Sequence, residues 1–451
     1  MNSGPLGHSR RLGRIAQALV CLFLGSIAHA DSRDVPPWTD PDDIPLPAWA
    51  KSVVPKKAET PIFAAPGRID LRRGSALEGA SLPLYGAKRG ASCGGRWLLV
   101  GPLAWICSDA AELSAAEPRP PAAPVALGDG LPFRYFFVGR EGASGFDRLE
   151  SALDDAPAQE LEPGFAVAIT DVRTMHGESW GKTNRGKWVA LRELGSAHPS
   201  AFHGEEISSL DFAWVIAERA NVVRGPKPGQ AASGAFSGAP LGTRVRFQTV
   251  PWHEQRPTGS GVMVRISEDD VTPGEWMHAR DLAHPTLSPP PPDLGADERW
   301  IDVELASETL VAYEGPKPVF ATLVSTGRGA QGSEIATPKG THRIWVKLAT
   351  TDMGNLELDE TSADALPTKA QEPGARYSIE DVPYVQFFDK AVGLHAAFWH
   401  RDFGRIHSHG CVNLAPLDAR RLFGWTLPHL PGGWTAALPI GVEKGTTVRV
   451  R

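Results

Sequence analysis

The sequence has few of the features that mark a nucleic-acid-binding or membrane-embedded protein. Lys and Arg total 46 against 52 Asp and Glu in 451 residues, and no long basic run occurs, so we expect no nucleic-acid partner. Beyond residues 15–28, no apolar run approaches the roughly 18 residues of a membrane-spanning helix. Nucleotide-binding glycine loops, paired-carboxylate signatures and redox cysteine motifs are also missing, so no signature of those enzyme classes competes with the motifs described below.

Composition instead favours a globular, mainly β protein. Apolar residues make up 42% of the chain and charged residues 22%, a balance that can bury real cores and argues against disorder. Gly and Pro are abundant, at 47 and 40 residues, which predicts many turns and short strands with few short helices. The length is typical of about three domains.

The N-terminus has the three-part pattern of a secretory signal peptide at residues 1–30. Three arginines precede the apolar run at 15–28, and Ala28 and Ala30 are small residues at the positions that a signal peptidase reads. We therefore expect cleavage after Ala30, export to the periplasm or cell wall, and no transmembrane anchor afterwards. A retained anchor is the alternative.

Cleavage would leave three cysteines, an odd number in a compartment where thiols normally pair. Cys93 and Cys107 lie close together in one Trp-rich segment, and we expect a disulfide between them, which would contribute on the order of 3 kcal/mol in the chain-entropy model. Two independent buried thiols are the alternative. Cys411 would then be the free thiol.

Pro-rich stretches divide the chain into units of different composition. The expected organisation is a signal peptide at 1–30, a Pro-rich lead-in at 31–57, a small β-barrel module at 58–115, a Pro-rich linker at 116–129, one or more β-rich modules, barrel-like or not, at 130–284, a Pro-rich linker at 285–297, and a β-rich unit of catalytic size at 298–451.

Similar Trp-containing segments surround Trp105, Trp188 and Trp276 and form a weak internal repeat. They resemble the last strands of bacterial Src-homology-three-like barrels, a resemblance that implies small barrels able to bind peptide or glycan. A generic β domain with tryptophan in its core is the alternative.

The unit at 298–451 opens with alternating residues that predict two strands joined by a turn at 306–308. One helix is predicted in this unit. Pro416 would occupy its first turn, Asp418 would add favourable charge there, and Gly424 would end it.

Chemistry concentrates around Cys411, which follows Gly410 and lies downstream of His395. A thiolate is a strong nucleophile, and a nearby imidazole can take its proton and, once charged, stabilise the anion. Consecutive amides next to the cysteine could hold the oxyanion of an acyl-transfer intermediate. The pattern indicates a cysteine–histidine acyl transferase, whereas a buried histidine and a buried cysteine without a catalytic role are the plain alternative.

The segment Ser408-His409-Gly410-Cys411-Val412-Asn413, with His395 upstream, resembles the signature of the L,D-transpeptidases of the YkuD family, which remodel bacterial peptidoglycan. The resemblance covers roughly residues 300–451 and includes the turn at 337–340, which is similar to the family's Thr-Pro-x-Gly element. It implies a β-sandwich-like catalytic domain with the cysteine in a cleft and no cofactor.

By this resemblance Cys411 is the nucleophile and His395 the general base. The surrounding positions are assigned to the oxyanion hole or to support of the loop: His409 and Gly410 through their backbone, and Ser408 and Asn413 through hydrogen bonds. The next residue, Ala396, stands where many relatives have Gly or Ser; its carbonyl should still orient the imidazole.

Three aromatic residues, Tyr384, Phe387 and Trp399, are candidates for the substrate-binding walls of the cleft. Ordinary core packing is the alternative for each of them. The spacing from His395 to Ser408 is slightly short against some branches of the family, so the intervening loop should differ.

The resemblance implies attack on a tetrapeptide stem of peptidoglycan, release of the terminal D-alanine, and a thioester on Cys411. The acyl acceptor would be an amine of another stem, a lysine of an envelope protein, or a free D-amino acid. With water as acceptor the protein would be an L,D-carboxypeptidase.

Two readings of other classes stay open. His395, His400, His407 and His409 could form a zinc site with Cys411, although His400 and His407 are equally compatible with a surface position and we expect no metal. A non-enzymatic wall-binding protein is the second, against which the intact Cys411 and His395 argue.

Overall fold

The structure, a computed structural model, describes residues 44–119, 127–154, 156–226, 236, 238–268, 274–354 and 377–451. The expected signal peptide and the first part of the Pro-rich lead-in lie outside the described residues. The described part is mainly β, with one α-helix and three short 3-10 helices, as the composition predicts. None of its helices is long and apolar enough to cross a bilayer.

Short strands follow one another from the first described residues to residue 283. The N-terminal ones are β1 Ser52–Pro55, β2 Thr60–Phe63, β3 Arg72–Ala76, β4 Leu82–Pro83, β5 Gly86–Lys88, β6 Trp97–Gly101, β7 Ala104–Cys107 and β8 Ala111–Ser114. The middle ones are β9 Arg134–Val138, β10 Ala143–Gly145, β11 Gln159–Leu161, β12 Ala166–Met175, β13 Glu178–Thr183, β14 Trp188–Ala190, β15 Leu194–Ser196, β16 Glu205–Glu206, β17 Phe212–Val215, β18 Arg219–Gly225, β19 Pro240–Val245, β20 Thr249–Pro251, β21 Gln255–Thr258, β22 Gly261–Arg265, β23 Gly274–His278 and β24 Leu282–Ala283. The 3-10 helices are Leu149–Ala152, Leu191–Glu193 and Ala279–Asp281.

The C-terminal part has longer strands and the α-helix. Its elements are β25 Arg299–Glu304, β26 Thr309–Glu314, β27 Lys317–Leu323, β28 Gly340–Arg343, β29 Val346–Gly354, β30 Ser378–Asp389, β31 Val392–Ala396, β32 Val412–Leu414, α1 Pro416–Trp425, β33 Trp434–Ala437 and β34 Thr447–Val450.

The largest sheet has 15 strands, which come from residues 60–107, 134–196 and 346–437. Its order is β14-β13-β12-β30-β29-β33-β3-β2-β7-β6-β5, with β9, β15, β31 and β32 attached to this path. β3 joins it by pairing with β33, and β12 by a parallel contact with β30. The predicted unit boundaries stay predictions. Hydrogen bonds of this sheet join the unit at 298–451 to the unit at 58–115 and to the unit at 130–284.

A second sheet of six strands, in the order β16-β27-β26-β25-β34-β28, faces β30–β32 across a shared core. Ile301 and Val303 alternate on one face of β25 and pack with Leu394 and Val412 from the larger sheet, and with helix α1. The opposite face of β25 buries Trp300, which belongs to a different core. The two-sheet layering agrees with the sandwich-like domain that the resemblance implies.

The middle segment forms two more sheets, β20-β17-β24 and β19-β18-β23-β22-β21, around an apolar core of their own. Within the described residues no sheet closes on itself as a barrel does, so the resemblance to Src-homology-three-like modules is not confirmed. Trp105, Trp188 and Trp276 are all buried, and each packs as a core residue.

Helix α1 extends one residue beyond the predicted stop at Gly424. The buried ammonium group of Lys347 donates to the carbonyl of Phe423 at 2.5 Å and to that of Thr426 at 3.0 Å. These bonds satisfy carbonyls at the end of the helix, and burial lowers the pKa of Lys347 to about 7. The capping group comes from strand β29, which local sequence does not reveal.

A disulfide joins Cys93 to Cys107, and Cys411 is a free thiol. The disulfide links the β6–β7 hairpin to the loop before it. The free cysteine lies in the C-terminal part of the chain.

We expect Gly74→Ala to destabilise the protein by about 1 to 3 kcal/mol through overpacking. A Cβ at Gly74 would stand 2.2 Å from the carbonyl oxygen of Ala436, so β3 and β33 would have to separate. The measurement is the free energy of unfolding in urea.

Gly424→Ala is the matched control, because a Cβ there meets nothing within 4 Å and alanine favours a helix. It should leave stability unchanged or raise it. Equal stability of both variants and the parent would show that the β3–β33 contact does not hold the N-terminal strands.

Candidate active site

The site is built where two short parallel strands bring distant parts of the chain together. β31 pairs with β32 so that His395 lies opposite Asn413. Cys411 immediately precedes β32, two residues from Asn413, and therefore belongs to the same face of the ladder as His395. Ideal strand spacing puts such diagonal neighbours about 8 Å apart at their Cα atoms, within reach of an imidazole and a thiol.

The ring of His395 is buried and held in one orientation. Its Nδ1 donates to the carbonyl oxygen of Ala396 at 3.0 Å, which leaves the lone pair on Nε2. Trp399 stacks on the ring, with centroids 5.7 Å apart. Ala396 thus does what the sequence analysis expects of the residue after the histidine, since only its carbonyl is needed.

Burial favours the uncharged forms of both groups. Burial lowers the pKa of His395 to about 4, although the bond to Ala396 opposes this shift. Burial also raises the pKa of the Cys411 thiol, against a smaller effect of the Gly393 amide. The resting state is therefore a neutral thiol, which donates to the carbonyl of Ala391 at 3.7 Å, and a neutral imidazole that lines the same cavity. This agrees with an imidazole that would become charged only once it takes the thiol proton.

The loop before Cys411 is closed by the side chain of Ser408. The Ser408 hydroxyl donates to the carbonyl of Cys411 at 2.5 Å and accepts from the amide of Gly410 at 3.1 Å. Gly410 has a φ of +130°, a conformation that residues with a side chain rarely adopt. The glycine and serine of the motif therefore shape the turn that presents the cysteine.

A second hydroxyl anchors the same turn from outside. Thr337 donates to the carbonyl of Gly410 at 2.7 Å and accepts from the amide of Gly327 at 2.8 Å. Thr337 is the first residue of the turn at 337–340, the segment that is similar to the family's Thr-Pro-x-Gly element. In this structure that segment holds the turn before Cys411 through the Thr337 hydroxyl.

Two backbone amides of this turn are available to a substrate oxygen. Among the described residues, none accepts a hydrogen bond from the amides of His409 or Cys411. The amide of Gly410 is engaged by Ser408, so it must leave that acceptor before it can bind a substrate. The arrangement can therefore supply a nucleophile, a base and amide donors from one loop and one strand.

A cavity of about 570 Å³ opens over Cys411 and His395. Phe387 and Trp399 line it, as proposed for the walls of the cleft. Tyr384 does not: it is buried, and its hydroxyl donates to the carbonyl of Gly130 at 2.6 Å. Tyr384 is therefore a core residue, and its candidate role in substrate binding is not supported by its position.

Several residues that reach this cavity belong to no motif recognised in the sequence. Phe137 and Gly164 come from the middle segment, and no local motif connects them with Cys411. Tyr377 and Arg328 contact the side chain of His409, the tyrosine by stacking at 5.6 Å and the arginine through its guanidinium. Arg328 belongs to a Gly-rich loop visible in the sequence, but its partner is not.

The histidines considered for a zinc site are divided between different surroundings. His400 and His407 lie with Asp402 in a group whose potential ligand atoms are within 4.8 Å of one another, and this group contains neither Cys411 nor His409. His400 already accepts from the amide of Asp402 and contacts Asn413. The structure does not bring together the five residues of that alternative.

The hydrogen bonds of Asn413 go to His400 and Ser325 and not to the loop before Cys411, so its expected role in supporting that loop stays a prediction. Its carboxamide lies 2.9 Å from Nε2 of His400, and its backbone exchanges two hydrogen bonds with Ser325. His400 is buried, which corrects the expectation of a surface position for that residue, while His407 is exposed.

Residues 298–450 match the family model YkuD, described as the L,D-transpeptidase catalytic domain. No curated protein matches the chain. An L,D-transpeptidase from Stackebrandtia nassauensis is similar at 26% identity over 35% of this chain, with a TM-score of 0.21, and the chain spans only 57% of that structure.

The catalytic domain of the E. faecium L,D-transpeptidase is similar at 24% identity over 34% of this chain and 98% of its own, with a TM-score of 0.23. A longer structure of the Enterococcus faecium enzyme, a cysteine-to-serine mutant, is 18% identical over 50% of this chain and 74% of its own, with a TM-score of 0.24. The TM-scores are low, so the assignment of residues 298–450 rests on the family model.

The pKa of the Cys411 thiol predicts slow alkylation at neutral pH. The rate of iodoacetamide addition to the peptide that contains Cys411 should rise with pH to a midpoint above the pKa of about 8.5 of an ordinary thiol. Mass spectrometry of the digested protein gives the rate at each pH.

The same peptide in urea-unfolded protein is the control, and its midpoint should return to about 8.5. A folded-state midpoint below 7 would show a resting thiolate and contradict the neutral pair.

Proposed function

We propose that this protein is a peptidoglycan L,D-transpeptidase that works through a thioester on Cys411. The observation that carries the proposal is the shared face of the β31–β32 ladder, which brings a free thiol and an oriented imidazole to one cavity. The family match at residues 298–450 supports the substrate class, tetrapeptide stems of peptidoglycan.

The first half of the reaction consumes the stem and releases D-alanine. Nε2 of His395 takes the proton of the Cys411 thiol as the sulfur attacks the carbonyl carbon after the L-centre of the diamino acid. The amides of His409 and Cys411 hold the oxyanion. The protonated imidazole then gives its proton to the departing amine of D-alanine, and the acyl group remains on sulfur.

The second half transfers the acyl group to an amine. The incoming amine loses a proton to Nε2 of His395 while it attacks the thioester carbonyl, and the sulfur leaves and is reprotonated. The acceptor is an amine of a second stem, a lysine of an envelope protein or a free D-amino acid. Export to the periplasm or cell wall, where these acceptors occur, is part of the proposal.

An L,D-carboxypeptidase is the alternative that uses the same residues. Water would then attack the thioester, and the product would be a tripeptide stem. A non-enzymatic wall-binding role is less well supported. The hydrogen bonds at Ser408, Gly410 and Thr337 hold the turn that presents Cys411 to the cavity, and a binding role gives no reason for that arrangement.

We expect Cys411→Ser and Cys411→Ala to abolish turnover of a defined disaccharide-tetrapeptide while the protein remains folded. Each substitution changes only the side-chain sulfur, so it removes the nucleophile with little change in packing. Product masses after incubation, with and without an amine acceptor, give the readout and separate transpeptidase from carboxypeptidase activity. Turnover by either variant would refute the assignment of Cys411.

The pH dependence of kcat/KM should show an unusually low acidic limit. His395 must be neutral to act as a base, and its pKa is lowered to about 4 by burial. Activity should therefore be nearly constant from pH 5.5 to 7 and fall only as the pH approaches 4.

His395→Ala is the control and should remove nearly all activity across this range. Any activity that remains in this variant gives the background to subtract from the parent's pH profile. An acidic limit near 6.5, the pKa of an ordinary histidine, would contradict a buried neutral base.

A further inference from the structure

The turn that joins β25 to β26 contains a buried carboxylate which the mechanism above does not use. Glu308 is 4% exposed and has a φ of +51°, uncommon for a residue with a side chain. Its Oε2 accepts from the amide of Thr326 at 2.7 Å, and its Oε1 accepts from the Thr326 hydroxyl at 2.5 Å. One carboxylate thus satisfies two buried donors of a single residue.

Thr326 passes this constraint to the loop that carries the nucleophile. Its carbonyl accepts from two consecutive amides, those of His407 at 3.1 Å and Ser408 at 3.0 Å. Ser408 in turn bonds the carbonyl of Cys411 and the amide of Gly410. Each link is buried at Thr326 and Ser408, so water does not compete for these bonds.

We propose that Glu308 is a positioning residue for the loop at 407–411, acting through Thr326 on Ser408 and so on Cys411. This inference rests on the proposed function for its effect on turnover. Because the carboxylate binds both the amide and the hydroxyl of Thr326, it holds the preceding peptide plane and the side chain of Thr326 in place, and with them the residue whose carbonyl accepts from the loop amides. Small displacements of a catalytic group can lower a rate by as much as about 100-fold.

If a buried carboxylate is merely structural, its removal should lower stability without changing the loop at 407–411. The chain contains such a carboxylate for comparison. Asp418 is 2% exposed and accepts from the amide of Gly204 at 2.8 Å and the hydroxyl of Thr322 at 2.5 Å. No described hydrogen bond of Asp418 or Thr322 reaches residues 407–411. Asp418 therefore matches Glu308 in burial and in its two hydrogen bonds, but among the described residues it has no hydrogen-bonded link to the loop at 407–411.

The experiment compares Glu308→Ala, Glu308→Gln and Asp418→Ala in the full chain. Both alanine variants should lower the melting temperature. Glu308→Ala should lower kcat on a disaccharide-tetrapeptide by about tenfold or more with KM within about twofold. Glu308→Gln, which keeps an acceptor for the amide and a donor for the hydroxyl oxygen, should recover most of kcat, and Asp418→Ala should leave kcat within about twofold at temperatures where it is folded.

Thr326→Val and its control Thr322→Val serve if Glu308→Ala does not fold. Each loses one buried hydroxyl, and Thr326→Val alone should lower kcat, by about threefold or more. A kcat for Glu308→Ala or Thr326→Val no lower than that of its control, or a Glu308→Gln variant as slow as Glu308→Ala, would overturn the proposal.

Alkylation of Cys411 by iodoacetamide distinguishes failure of this inference from failure of the proposed function. The rate constant at pH 8 should change by about threefold or more in Glu308→Ala and stay constant in Asp418→Ala, whether or not the parent turns over stems. If the parent has no turnover but this contrast holds, the proposed function fails and the positioning role stands. Equal rate constants would overturn the positioning role by themselves.

Discussion

The parallel pairing of β31 with β32 is the constraint on which the rest of the site depends. Strand alternation puts His395 and Cys411 on one face, and the tight turn before β32 holds the cysteine at the edge of the cavity. The two-sheet core beneath supplies the rigidity, with Leu394 and Val412 packed inside it.

Burial gives this pair its chemical character. Burial lowers the pKa of His395 and raises the pKa of Cys411, so in the proposed reaction charge separation would occur only as the sulfur attacks. A site of this kind relies on amide donors and on an oriented base more than on a preformed thiolate. It also makes the position of the loop at 407–411 critical, since proton transfer depends on distance.

The sequence predicted the parts of the molecule that local chemistry specifies. The short motif at 408–413 and His395 are linked by chemistry that needs those residue types, and the alternation of Ile301 and Val303 predicts a strand. Tyr384 could not be placed, because whether an aromatic residue on a strand faces a core or a cavity depends on register. The contributions of Phe137 and of Lys347 depend on contacts between distant segments, which no local pattern contains.

The central claim is that Cys411 carries the acyl group, and mass spectrometry of the protein after brief exposure to a disaccharide-tetrapeptide, without an amine acceptor, tests it most directly. The account predicts an adduct on the peptide that contains Cys411, equal to the stem fragment without its terminal D-alanine, that disappears when an amine is added. Release of D-alanine with an adduct on a different residue would contradict the account.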